Sequence, residues 1–254
     1  MAQQATPDSA RAARLGRVIG ARPSAVSGAV LLLPGGHETS ARKPSPFAAA
    51  SLRALGRRLA QDGRDEGLAA HVVHYRCRGW NGAQAELARD AEWAADEIIR
   101  LYGDVSICLV GRDMGGRAAL RASGHDAVNS VLALAPWLPE DDVAATPEPV
   151  KQLAGRRVLI VHGTTDERTD PELSFRLAER AKKANREVCR FEVHSDGHRL
   201  QQHQSEVQAL ASDFVMGSLF GHAYARPLED ALAAPPPLGL RMPLAAGFGD
   251  SLRH

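Results

Sequence analysis

"VGRDMGGRAAL", residues 110–120, joins the end of one apolar run to the beginning of a helical one. The run before it, "VSICLVG" (105–111), is apolar at successive positions, as in a strand buried on both faces. The residues after it predict a helix to about Ser123. Between them lies Gly-x-Asp-x-Gly, with Asp113 at its centre and Gly111, Gly115 and Gly116 around it. A related pattern, Gly-x-Ser-x-Gly, holds a nucleophile on a strained strand-to-helix turn, which demands small neighbours. A Gly-x-Asp-x-Gly pentapeptide on its own is weak evidence, because Gly and Asp are common in turns. Its place between strand and helix gives it meaning.

Outward from this turn the same alternation continues. "AVLLLP" (29–34), "LAAHVVHY" (68–75), "AVNSVLALAPW" (127–137), "RRVLIVHG" (156–163) and "EVCRFEVH" (187–194) read as strands. Helical patterns fall at 46–63, 83–103, about 171–185 and 200–220. Apolar strands separated by helices predict an α/β three-layer sandwich, its mainly parallel, doubly wound sheet having about six strands. In such sheets ligands bind beyond the carboxyl ends of the strands. The expected organisation is an N-terminal segment (1–27), one domain (28–221) and a Pro/Gly-rich C-terminal tail (222–254), expected to be weakly ordered on the surface. A tail-mediated partner and a homodimer both stay open.

Composition narrows the function classes. The 254 residues carry a formal net charge of +1, which gives no electrostatic footprint for nucleic acid. No apolar stretch reaches the roughly 20 residues of a membrane span, and the N-terminus lacks a signal-peptide core, so a cytoplasmic protein is expected. Cys77, Cys108 and Cys189 have no CxxC spacing, and His71 and His74 lie on opposite faces of a strand. Neither disulfides nor a metal site is expected, and no cofactor is implied. A small-molecule substrate is the expected ligand.

Two further loops follow strand ends. "VHGTTDERTDP" presents Asp166, with Asp170 placed before Pro171 as a helix cap, and "FEVHSDGHRL" presents His198. The chain order is nucleophile position, acid, histidine. In this layout the chain resembles the α/β-hydrolase superfamily over roughly residues 28–221, through "LLLPGGHE", "VGRDMGGRAAL", "VHGTTDERTD" and "SDGH". It is similar to small bacterial members without a lid domain, since "LPEDDVAATPEPVKQLAG" (138–155) is too short for one. The resemblance implies Asp113 as nucleophile, His198 as base and Asp166 as the acid that orients it. It also implies an oxyanion hole from the backbone N–H groups of Gly36, in "PGGH", and Met114. His37, Arg78, Trp80, Arg112 and Trp137 stand at the same sheet edge as candidate substrate-binding residues; Tyr75 has two readings, an acidic hydroxyl for the leaving group or a strand residue that faces the core.

A carboxylate attacking an acyl carbon would form a high-energy anhydride, whereas at a saturated carbon it displaces a leaving group and forms an alkyl ester. Within the superfamily that logic belongs to epoxide hydrolases and haloalkane dehalogenases. The expected activity is hydrolysis of an epoxide or a C–X bond in a small organic molecule, through an ester on Asp113. Two alternatives stay open: Asp113 as general base in a cyclisation or elimination, and a retired hydrolase that binds a ligand or partner. Two departures from those enzymes stand: no lid supplies a Tyr pair, and Met114 follows Asp113 where the dehalogenases tend to have Trp.

Overall fold

A computed structural model describes residues 12–139 and 147–249. Residues 140–146, in the connection read as too short for a lid, lie outside the described residues, as do the first eleven and the last five. The strands divide their side chains between two cores, as a two-residue period requires. In β3 (Gly28–Leu33), Ala29, Leu31 and Leu33 enter one core while Val30 and Leu32 enter the other. In β5 (Ser106–Arg112), Ile107 and Leu109 part from Cys108 and Val110 in the same way.

Six parallel strands form the centre in the order β4 (Leu68–His74), β3, β5, β6 (Val128–Leu134), β7 (Arg157–Gly163) and β8 (Val188–Val193). Helices α2 (Glu86–Tyr102), α3 (Met114–Ala122) and α4 (Pro171–Ala184) pack on one face. Helices α1 (Pro46–Asp62), α5 (Gln204–Phe220) and α6 (Arg226–Ala233) pack on the other. The direction of winding reverses between β3 and β5, so the loops after these strands part and leave a crevice at their carboxyl ends. Asp113 follows β5 and Gly35 follows β3. The connection from β6 to β7, residues 135–156, leaves no room for a large lid.

The flanking segments differ from the expected outline. Strands β1 (Arg14–Leu15) and β2 (Ile19–Gly20) pair antiparallel with β4, and β9 (Met242–Pro243) extends the other edge beside β8. The C-terminal stretch, expected on the surface, buries Leu228, Ala231, Leu232, Leu240 and Leu244. Two buried cations tie it down. Lys182 Nζ donates to the carbonyls of Val188, Ala231 and Leu232 at 2.7, 3.0 and 3.3 Å. Arg190 Nη1 donates to the Leu240 carbonyl at 3.0 Å. These contacts reach across some fifty positions, so no local period announces them. Among the described residues no helix is long and apolar enough to cross a membrane, and all three cysteines are buried free thiols.

Replacing Lys182 with Met keeps the bulk of the stem and removes the donor from three buried carbonyls. The variant is expected to lose on the order of 2–4 kcal/mol in urea unfolding. Faster amide exchange over residues 226–244 than over the central strands identifies the C-terminal segment as the part released.

Candidate active site

Asp113 adopts φ 57° and ψ −127°, a backbone conformation unfavourable for a residue with a Cβ. Its neighbours leave it no alternative. A Cβ on Gly111 would lie 2.0 Å from the Gly115 carbonyl oxygen, and one on Gly115 would lie 2.0 Å from that of Leu33. The Asp113 N–H donates to the Leu134 carbonyl, and its own carbonyl accepts from the N–H groups of Gly116 and Trp137. The side chain is held at the N-terminus of α3, only 8% exposed. Burial pushes its pKa up; the Arg168 guanidinium, His198, the Met114 N–H and His37 oppose this without cancelling it.

His198 faces Asp113 across 3.8 Å, from Nε2 to Oδ1, a gap wider than a hydrogen bond. Its Nδ1 meets Asp166 Oδ2 at 2.9 Å. Asp166 is fully buried and receives a complete set of donors. Oδ1 accepts from the N–H groups of Arg168 and Thr169, at 2.8 and 3.0 Å. Oδ2 accepts from the Thr169 hydroxyl at 2.6 Å and faces His162 Nε2 at 3.2 Å. Burial alone would raise this carboxyl, yet the hydrogen bonds from His162, His198 and Thr169 hold it well below the usual carboxylate range. Asp170 instead caps α4 through the Glu172 N–H. Asp196, also buried, shapes the His198 loop by accepting from the N–H groups of Gly197, Gln201 and His203.

Asp113 and His198 open onto a cleft of about 680 Å³, which Gly35, Gly36, His37, Arg78, Arg112 and Arg168 also line. Gly36 packs against Met114, whose Cβ is 3.5 Å from where a Cβ on Gly36 would be, so both oxyanion-hole candidates meet beside residue 113. Gly35 comes nearer still: a Cβ there would be 2.8 Å from Asp113 Oδ2.

Trp80 and Trp137 do not line the cleft, which corrects their assignment to the substrate. Trp80 is buried in the core with the Arg117 guanidinium 4.0 Å over its ring, and Trp137 lies 5.3 Å from the same group. Arg117 is itself fixed by buried Glu148, so the indoles complete a cation–π cluster behind α3. Tyr75 is buried and donates to the Pro34 carbonyl, away from the cleft.

Three participants escaped the sequence reading. Arg168 Nη2 donates to Asp113 Oδ2 at 3.0 Å. His162 and Thr169 share Asp166 with His198. The available signal was spacing, since His162, near the end of β7, and Thr169, in the loop after it, flank Asp166 at four and three positions.

The same architecture occurs in solved esterases and hydrolases. The esterase Pf2001 of Pyrococcus furiosus superposes with a TM-score of 0.59 at 16% identity, over 76% of this chain and 82% of its own. Est1E from Butyrivibrio proteoclasticus gives 0.57 at 15% identity, over 81% and 93%. An alpha-beta serine hydrolase homologue from Coxiella burnetii gives 0.56 at 13%, over 83% and 100%. No protein-family model matches the sequence, and no curated protein does. At these identities the α/β-hydrolase fold is what the chains share.

The turn itself is open to test. Gly115→Ala drives a Cβ into the Leu33 carbonyl, and is expected to cost about 2–4 kcal/mol in urea unfolding. Gly124→Ala, whose Cβ would meet only the Gln152 Cβ at 3.3 Å, is expected to change stability by under about 1 kcal/mol in the same measurement.

Proposed function

We propose that the chain is a hydrolase in which Asp113 displaces a leaving group from a saturated carbon and is regenerated by water that His198 activates. The observation that carries this proposal is the orientation of the Asp113 carboxylate: Oδ1 faces His198 across 3.8 Å while Oδ2 is held by Arg168. Such a division suits a nucleophile with one attacking and one anchored oxygen. Oδ1 attacks an epoxide carbon or a carbon bearing a halide; the C–O or C–X bond breaks and its electron pair leaves with the heteroatom. Oδ2 becomes the carbonyl oxygen of the resulting ester.

Hydrolysis then uses the rest of the site. Asp166 keeps the His198 proton on Nδ1, so Nε2 is free to accept a proton from water. The water oxygen adds to Cγ of Asp113, and negative charge develops on Oδ2. Arg168 and the backbone around Gly35, Gly36 and Met114 are placed to stabilise it. Collapse breaks the bond from Cγ to Oδ1, which leaves as the product alkoxide and takes the proton from His198. The new carboxyl group, which keeps the water oxygen, returns to the carboxylate by releasing the second water proton. That proton balances the one taken up by the alkoxide of an opened epoxide, or passes to solvent when a halide has left. Tyr75 donates elsewhere, so the cations of the cleft are what a departing anion meets. The neighbours' esterase activity would require Asp113 to form an anhydride, and is not the chemistry proposed. The complete donor set on buried Asp166 favours a working base over a retired site.

Single turnover in ¹⁸O-water with a panel of small epoxides and alkyl halides tests the ester route. Label is expected in the peptide containing Asp113. In His198→Gln the ester should accumulate as a mass increase on that peptide, with its hydrolysis slowed about 10²–10⁴-fold. Turnover that leaves the peptide unlabelled would instead make Asp113 a general base.

The pH profile supplies a second check. Attack needs Asp113 ionised, so kcat/KM should fall as pH drops through its pKa, which burial places above the ordinary carboxylate value. Arg168→Gln removes a neighbouring positive charge and must raise that pKa further. The acid limb of kcat/KM is therefore expected to move to higher pH in this variant; a shift to lower pH, or none, would remove Arg168 from the proposed role.

A further inference from the structure

The cleft contains more positive charge than the proposed chemistry uses. Arg78, Arg112, Arg168 and Arg199 all line it, and among the described residues of its lining Asp113 is the sole carboxylate. Arg168 is paired with Asp113. The other three have no carboxylate within ion-pair distance among the described residues, and their recorded side-chain contacts are to uncharged oxygens. Arg78 Nε donates to the Ser40 hydroxyl at 3.1 Å, and Arg112 Nη1 donates to the Arg199 carbonyl at 2.8 Å. Arg112 is the most telling, because its Nε is buried without any hydrogen-bond partner. Asp113 and Asp196 are both near enough for their charges to act on Arg112, but Asp113 Oδ2 is bonded to Arg168, and the Asp196 oxygens are turned to the N–H groups of Gly197, Gln201 and His203.

Keeping a guanidinium in a partly desolvated site without a counter-ion is costly, and the cost falls when an anion enters. The planar fork of Arg matches carboxylate and phosphate oxygens. An anionic substrate would also be repelled by the Asp113 carboxylate unless cations surrounded both. We propose that the cleft takes substrates bearing an oxyanion, a carboxylate or a phosphate, close to the carbon that Asp113 attacks, with Arg112 and Arg78 as the groups that hold it. The placement of the electrophilic carbon rests on the ester route proposed above, whereas anion binding itself does not.

Calorimetric titration of the protein with butyrate, its neutral isostere butyramide, and inorganic phosphate, none of which carries a leaving group on a saturated carbon, tests the site directly. At least one anion should bind saturably, more weakly at high ionic strength, while butyramide should bind far less well than the tighter anion. Arg112→Gln and, independently, Arg78→Gln should each weaken the tighter anion about 10–100-fold, the worth of a charged hydrogen bond. The better ligand, butyrate or phosphate, tells which oxyanion the site takes. Binding of butyramide as strong as that of either anion, absence of saturable anion binding, or unchanged affinity in both arginine variants would overturn the proposal. Failure here leaves ester trapping on Asp113 to be judged by its own label, and failure of trapping leaves the anion site standing.

Discussion

The site depends on one residue held where most residues do not go. At φ 57° and ψ −127°, Asp113 occupies a conformation that costs of order 1–3 kcal/mol, and it persists because three strands fix it. Its N–H and carbonyl are bonded to the end of β6 and the chain after it, at Leu134 and Trp137, and Gly115 lies against the end of β3. Relaxing the turn would break contacts with each of these. The strain therefore serves to aim a carboxylate out of the protein at the start of a helix. The His198 loop and the Gly35-Gly36 turn can then be placed against a fixed point.

Behind that point runs a hydrogen-bonded chain with a direction. Asp166 Oδ2 can only accept, so His198 must carry its proton on Nδ1, and His162, facing Asp166 and the Thr169 carbonyl, must carry one on Nε2. His162 Nδ1 meets the Ser174 hydroxyl at 2.8 Å, which in turn accepts from Arg190 Nε at 3.0 Å. Arg190 Nη2 also donates to the Pro171 carbonyl, so that acceptor is satisfied even when Ser174 turns its proton toward His162. The Ser174 hydroxyl also lies 2.8 Å from the Pro171 carbonyl, and when its single proton turns from that carbonyl to His162 Nδ1, donors run from Arg190 through Ser174 and His162 to Asp166. Since Arg190 is also bonded to Leu240, the C-terminal stretch and the orientation of His198 belong to one network.

The fold and three residues of this arrangement were readable because their signals are local. Strands buried on both faces show as short apolar runs, and Asp113, Asp166 and His198 each stand directly after one. Arg168 could not be read this way. It sits in the polar run "DERTD", and its partner is 55 positions away. His162 reads as an ordinary strand residue, because only tertiary structure turns it onto Asp166. Trp80 and Trp137 misled for the opposite reason: their positions near strand ends suited a pocket, but Arg117 on α3 holds both rings, Trp80 in the core and Trp137 half-buried against it. In the C-terminal stretch only the short helix α6, with Leu228, Ala231 and Leu232 at helical spacing, carries a period, and much of the remaining anchorage comes from Lys182 and Arg190 bonding to backbone carbonyls.

An aspartate at the elbow changes the electrostatics of everything around it. A hydroxyl there would be neutral until attack and would need no counter-ion. A carboxylate buried to 8% exposure requires one to stay ionised, and Arg168, from the loop that also carries the orienting acid, supplies it. In the proposed ester route that same cation lies beside the oxygen on which charge would build during hydrolysis, so one guanidinium would serve both the resting anion and the later oxyanion. A site that had merely lost its nucleophile would gain nothing from a charged replacement that must be compensated. The pairing of Asp113 with Arg168 therefore supports the proposed ester route over a site that has only lost its nucleophile.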